Sequence, residues 1–395
     1  MKTALFTIFR CTNYGAVLQA CALARVLRGI LGEGAVDVIN HRMDPRDNHL
    51  LGKVTNPNTP WFQRWRNRRK AAARYFHPEL FEARRASTIR LIDECIQPTA
   101  ALCKSPAELK KLPQYATVVV GSDQVWNPGL NHDFGHNQYL GADLPDAQDR
   151  VAYAASFGVS ELPEECRGEY RAALLKFRKI TVREETGSQI CVDLLGHGMD
   201  APQVVLDPTL LLAADDWLLA TGANHGGERS GAASRGPRGR YVAAYWVRSI
   251  SADDVAALAR IARANSAPVC LMSAGPLPRL PFPPEVAPYV EADPFDFVRT
   301  IACACSVVTD SFHGLQFAAH FGKPLLALGN VSDPSSNASR LVDFCSRYGI
   351  SGGVQDIEDF RARKACPFAD IDSSVSERIA ADRVRSLETL KGMLP

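Results

Sequence analysis

Two periodicities alternate along this chain. Short continuous apolar runs at residues 3–9, 35–39, 116–120, 151–154, 179–182 and 204–206 have the composition of strands buried on both faces. Between them lie stretches with helical spacing, such as 16–31 and 169–177. The alternation predicts a parallel sheet covered by helices. It stops at residues 221–240, where Gly222, Gly226, Gly227, Gly231, Gly236 and Gly239 mix with Arg229, Arg235, Arg238 and Arg240, the composition of a flexible connector. It then restarts: strand 241–247, helix 252–264, strand 269–272, helix 294–303, strand 306–309, helix 315–321, strand 325–328, and a closing helix at 377–393. The expected organisation is an α/β fold of two Rossmann-like parallel-sheet domains facing a cleft. The first covers residues 1–220, a linker 221–240 and the second 241–375; a C-terminal helix within 376–395 is free to pack back onto the N-terminal domain.

Length and charge narrow the function. A chain of 395 residues exceeds what one core supports, consistent with two domains. A net charge of +2 argues against nucleic acid as the main partner. No run of 18 consecutive apolar residues and no secretory signature at residues 1–9 are present, so a soluble, cytoplasmic protein is expected. Eleven cysteines without a CxxC pair, Cys303-Ala304-Cys305 being the closest spacing, read as reduced core residues; neither a metal nor a cofactor is expected. The sequon Asn337-Ala338-Ser339 has no weight without secretion. Residues 61–74 hold Arg64, Arg66, Arg68, Arg69, Lys70 and Arg74 among Trp61, Phe62 and Trp65. That stretch reads first as a solvated helix face, with peripheral membrane contact as the alternative.

In open α/β sheets, ligands bind beyond the carboxyl ends of strands. Four segments at such positions carry polar chemistry. Thr12-Asn13-Tyr14-Gly15 follows the first strand, with Thr12 or Asn13 as helix cap and Gly15 permitting close backbone approach. Gly121-Ser122-Asp123-Gln124-Val125-Trp126-Asn127 follows the strand at 116–120; Asp123, Gln124 and Asn127 can bind hydroxyls, and Trp126 is either a stacking face for a sugar ring or a core residue. Arg183 follows the strand at 179–182, as an anion-holding fork or as the partner of Glu184 or Glu185. The fourth, Thr309-Asp310-Ser311-Phe312-His313-Gly314, puts a histidine in the first turn of a helix, where open N–H groups and the helix dipole suit an anion. Asp310 either orients the imidazole or caps the helix.

In order and spacing, residues 13–20, 121–127, 155–158, 182–184, 207–210 and 310–314 resemble the polysaccharide pyruvyl transferase family. The resemblance implies a glycosyltransferase-B-like pair of domains and transfer of a pyruvyl group from phosphoenolpyruvate onto two sugar hydroxyls as a cyclic ketal. It implies His313, with Asp310, as the catalytic residues, Arg183, Ser311, Phe312, Gly314 and Lys323 around the donor, and Asn13, Tyr14, Asp123, Gln124, Trp126 and Asn127 around a sugar, lipid-linked sugar or glycan acceptor. The family's histidine block carries an arginine where this chain has Ser311; Lys323 would restore part of that charge. Two other readings use the same architecture: a glycosyltransferase taking a nucleotide sugar, and a non-catalytic glycan-binding protein.

Overall fold

The computed structural model describes residues 1–41, 61–130, 136–145, 148–196, 200–222, 237–331, 338–362 and 367–395, with residues 61–65, 67 and 68 described by their backbone alone. Most of the linker, the asparagine of the sequon and the aromatic residues of the 61–74 stretch therefore lie outside the described side chains.

Among the described residues, twelve strands form two six-stranded sheets. The first contains β1 (Thr3–Phe6), β2 (Val36–Val38), β3 (Thr117–Val120), β4 (Arg150–Ala155), β5 (Lys179–Val182) and β6 (Gln203–Val204), in the order β2-β1-β3-β4-β5-β6. The second contains β7 (Val242–Trp246), β8 (Val269–Ser273), β9 (Val286–Pro288), β10 (Ser306–Thr309), β11 (Leu325–Gly329) and β12 (Val354–Asp356), in the order β12-β11-β10-β7-β8-β9. Every strand pair is parallel. The expected alternation and fold class hold, and the all-apolar runs are explained by burial: all four residues of β3 and of β10 are buried.

The helix Tyr14–Leu31 packs between the domains. Its residues share one core with Tyr245, Phe297 and Phe317 of the second half, and the Tyr14 hydroxyl donates to Ala292 O at 2.6 Å. By length and composition this helix could cross a membrane, but 72% of it is buried inside the fold, so its apolarity serves the inter-domain core.

The division at residue 220 is less clean than the sequence suggested. The helices Trp61–Arg74 and Pro78–Leu91 cross to the second sheet, where Phe76 N donates to Leu277 O at 2.9 Å and Arg84 donates to Ser273 O and Ala274 O at 2.6 and 2.7 Å. In return, the closing helix Ser373–Lys391 reaches the first half: Leu206 N donates to Ser386 Oγ at 3.0 Å and Arg383 Nε to Leu210 O at 2.7 Å. An amphipathic helix buries its apolar stripe against whichever sheet it meets, and the stripe does not record which.

Candidate functional site

Both sheets reverse their winding, and the site forms where they do. After β1 the chain pairs outward to β2 and then back to β3; after β7 it pairs outward to β8 and β9, then places β10 on the other side. Loops that diverge at such a point leave a crevice at the strands' carboxyl ends. These four loops carry Asn13, Asp123, Arg248 and residues 310–313.

Local chemistry fixes the histidine. β10 ends at Thr309 and the helix Phe312–His320 begins after Ser311, whose Oγ accepts from Gly314 N at 3.2 Å as the helix cap. Ser311 N in turn donates to Thr309 Oγ1 at 3.0 Å. The N–H groups of Phe312 and His313 remain the open donors of the first turn. His313 is buried, with its ring against the backbone of Gly15; a Cβ added there would lie 2.6 Å from His313 Cβ and nearer still to Nδ1. Gly15 belongs to the first turn of Tyr14–Leu31, which Asn13 caps by accepting from Gly15 N at 3.0 Å. A third helix, Ala338–Tyr348, begins beside them and brings Arg340 in its first turn. Three positive helix ends thus converge, which favours an anion between them.

Around His313 lies a buried charge network. The Arg183 side chain is fully buried and meets Asp207 Oδ2 at 2.7 Å, Asp123 Oδ1 at 3.0 Å and Glu184 Oε2 at 3.4 Å. Asp207 Oδ2 also lies 3.5 Å from His313 Nε2, an ion-pair distance but long for a hydrogen bond. Burial pushes the Asp207 carboxyl up, but His313 and Arg183 outweigh it and hold it below the ordinary carboxylate value. Asp123 follows the same logic, with burial opposed by Arg183, His313 and Arg340. Glu184 goes the other way: burial raises it despite Arg183 and Arg340.

A cavity of ≈ 330 Å³ opens at this point, lined among others by Asn13, Asp123, Gln124, Ser311, His313 and Arg340. Arg340 is buried, and its guanidinium lies 5.5 Å from the Phe312 ring centre, on a ring that also meets Arg183 at 4.7 Å. Burial and the Arg183 charge push Arg340 down to about 10, so it stays cationic near neutrality. Among the described residues its Nε has no hydrogen-bond partner. The Gln124 carboxamide sits 3.2 and 3.3 Å from its Nη2 and Nη1 and 2.5 Å from Asn127 Nδ2, and one amide oxygen can turn to only one of the two.

The structure brings together Asn13, Asp123, Gln124, Asp310, Ser311, Phe312 and His313 at this cavity, gives Asp310 a different role there from the one expected, and places the other expected residues elsewhere. Asp310 neither touches His313 nor caps the helix; it accepts from Val247 N at 2.6 Å and from Arg248 N and Nε at 3.0 Å each, tying the β10 loop to the β7 loop. Arg183 has its fork engaged by three carboxylates and does not line the cavity. Trp126 is a core residue: it is fully buried against Phe157 and Phe177, and its Nε1 donates to Tyr139 O. Tyr14 is likewise spent between domains, stacked on Tyr245 at 5.2 Å and held by Arg84. Asn127 supports Gly129 N and Gln124 from behind the cavity. Gly314 lets the helix approach β10, since Thr309 Oγ1 occupies the place of its missing Cβ. Lys323 lies past the opposite end of the Phe312–His320 helix and cannot replace an arginine at position 311. The residues not singled out from sequence are Arg340 and Asp207; only the Asp207-Pro208-Thr209 block pointed toward the latter.

A family model described as polysaccharide pyruvyl transferase matches residues 13–333. No protein of curated function matches the chain. Among solved structures, the S. aureus MnaA-UDP co-structure aligns with a TM-score of 0.51 at 11% identity, covering 96% of this chain and 95% of that one. UDP-GlcNAc 2-epimerase from Neisseria meningitidis, bound to UDP-GlcNAc, gives 0.45 at 12% identity over 99% of both chains. The glycosyltransferase SnogD from Streptomyces nogalater gives 0.34 at 14% over 98% of this chain and 94% of its own. The two-domain arrangement is glycosyltransferase-B-like.

Proposed function

Because the chain belongs to the polysaccharide pyruvyl transferase family, matched over residues 13–333, and is thereby a transferase, we propose that it moves the pyruvyl group of phosphoenolpyruvate onto two hydroxyls of a sugar or glycan, closing a cyclic ketal. The observation that carries this reading is the convergence of three helix N-termini, His313 and Arg340 on one cavity of ≈ 330 Å³. Phosphoenolpyruvate carries a carboxylate and a phosphate on a three-carbon unit, and such a cavity supplies fixed positive ends for both. Ser311 contributes a cap instead of a charge, and the cation comes from Arg340 on another helix. A guanidinium fork holds a carboxylate or phosphate through two bonds.

In the proposed reaction His313, as imidazolium, gives its proton to the methylene carbon of the enol, making the adjacent carbon electrophilic. The first sugar hydroxyl bonds to that carbon and its proton returns to His313. The carbon–oxygen bond to phosphate then breaks, and the second hydroxyl closes the ring while its proton leaves with hydrogen phosphate. One donor and one diol give one ketal and one phosphate. Asp207 balances the imidazolium charge from 3.5 Å. Asp123, held ionised and engaged with Arg183, serves as a charge partner and not as the base. The N–H groups of Phe312 and His313 face the departing phosphate.

The test is phosphate release from phosphoenolpyruvate with a panel of acceptors. Wild type should release phosphate only when an acceptor is present, and His313→Ala should abolish release while still unfolding in one cooperative urea transition, at a lower midpoint because Asp207 loses a charge partner. Retained turnover in His313→Ala would remove His313 from the acid role.

A further inference from the structure

Beside the His313 cavity lies a larger one, and among the described residues its wall carries one sign of charge. It has a volume of ≈ 590 Å³ and, among the described residues, is lined by four arginines, Arg10, Arg74, Arg85 and Arg248, and by no aspartate or glutamate. In a chain with 45 basic and 43 acidic residues, that is a local departure from balance. The arginines come from four separate elements: the loop after β1, the end of the helix Trp61–Arg74, the helix Pro78–Leu91 and the loop after β7. Arg248 also holds Asp310 through Nε at 3.0 Å, and Arg10 donates to Asn40 Oδ1 at 2.7 Å. Much of the remaining wall is apolar, including Ile89, Ile92, Leu102 and Leu277. Asn13, Val247 and Arg248 line both cavities, so the two meet at one wall.

We propose that this second cavity is the acceptor site and that it selects a saccharide carrying an oxyanion, a phosphate or a carboxylate. The volume suits a sugar of one or two rings and falls within the ~300–1,000 Å³ of small-molecule sites. A neutral sugar needs hydroxyl and amide partners, whereas a cleft lined by cations concentrates anions and guanidinium forks match their planar oxygen pairs. The apolar patches cover the faces of the rings or of an attached apolar group. An acceptor seated here presents its free hydroxyls across Asn13 and Arg248 to the donor cavity. The inference rests on the transfer reaction proposed above for the identity of its occupant as acceptor.

The experiment compares three probes on the full chain: a neutral disaccharide, the same disaccharide with one uronate, and the same disaccharide with an anomeric phosphate. Binding is measured by calorimetry without donor, at low and high salt, and phosphate release is measured separately. The charged probes should bind at least about tenfold tighter than the neutral one, a gap that narrows with salt. Arg74→Gln and Arg85→Gln should each weaken the charged probes by about tenfold or more while leaving the KM for phosphoenolpyruvate unchanged. The better of the two charged probes tells phosphate from carboxylate. Equal binding of all three probes, or charged-probe affinity unaltered in both well-folded variants, overturns the site assignment and leaves the transfer reaction standing. Charge-selective binding that both variants weaken upholds an anion-selective saccharide site even if no probe supports phosphate release, in which case the transfer reaction fails instead.

Discussion

Replacing Gly15 with alanine tests the geometry of the site through one methyl group. The added Cβ would lie 2.6 Å from His313 Cβ, with the ring closer still. Carbon atoms rest at about 3.5–4.0 Å, so the histidine or the start of its helix has to move by roughly 1 Å. His313 is wedged between Gly15 and the Asp207 side of the network, and both helix starts are capped, so the ring has little room to yield. Overpacking of this kind costs about 1–3 kcal/mol of stability. A 1 Å misplacement of a reacting group costs on the order of 100-fold in rate, which corresponds to about 2.7 kcal/mol of barrier. The control lies in the same helix: a Cβ at Gly29 meets nothing within 4 Å. Gly29→Ala should therefore keep full activity and gain about 0.5–1 kcal/mol from helix propensity. Urea midpoints and phosphate-release kinetics on both variants decide the matter. A Gly15→Ala enzyme with wild-type kcat/KM and wild-type stability would refute the contact between Gly15 and His313 as a constraint on the reaction.

Arg340→Gln should raise the KM for phosphoenolpyruvate about 10- to 100-fold, the value of ~1.5–3 kcal/mol for a bond to a charged group. Arg340→Lys should fail to restore it because an ammonium lacks the fork, and steady-state kinetics at varied donor would show both. Stability should decline on acidification well before the carboxylates titrate. Burial holds His41 at about 3, with Arg10 adding to the effect, and burial with Arg383 holds His320 at about 4. Unfolded, each takes a proton near pH ~6.5. Stability is therefore complete above about pH 6.5 and is lost as pH falls from there toward those folded values, by up to about 1.4 kcal/mol per unit for each histidine. His41 packs against Phe6 and Tyr139 with neither ring nitrogen bonded to a described residue, so His41→Phe should flatten the slope of urea midpoint against pH between about 5 and 7. An unchanged slope would remove His41 from that account.

What could be read in the sequence followed from local physics. The strand-to-helix turn at 306–320 was legible from the β-branched run and the polar residues that follow it, although the sequence suggested Asp310 as the cap and a helix starting at 315, where the structure caps it with Ser311 and starts it at Phe312. The helices Ala252–Ala264 and Pro294–Cys303 were found to the residue, since capping boxes mark where both begin. β9 and β12 escaped because neither Val286–Pro288 nor Val354–Asp356 is a continuous buried apolar run. Arg340 escaped for a different reason: it reaches the cavity from a helix that starts after the next strand, and nothing near it in sequence separates it from a surface arginine. Trp126 misled because a tryptophan beside Asp123 and Gln124 shows its neighbours but not its direction. The backbone turns it inward, with its N–H donating to Ser156 O at 3.1 Å and its ring entering the core. The fold was thus written in periodicity and caps, while the site depended on which side chains three separate helix starts bring together.

The most direct measurement of the central claim is the mass of the product formed from phosphoenolpyruvate and an acceptor saccharide in deuterated water. Protonation of the enol carbon by an exchangeable group on His313 predicts an acceptor heavier by one pyruvate less one water, with one solvent deuterium in the new methyl group and one phosphate released per transfer. A methyl group without solvent deuterium would contradict proton transfer to the enol carbon. Glycosyl transfer from a nucleotide sugar, with phosphoenolpyruvate left intact, would contradict the account as a whole.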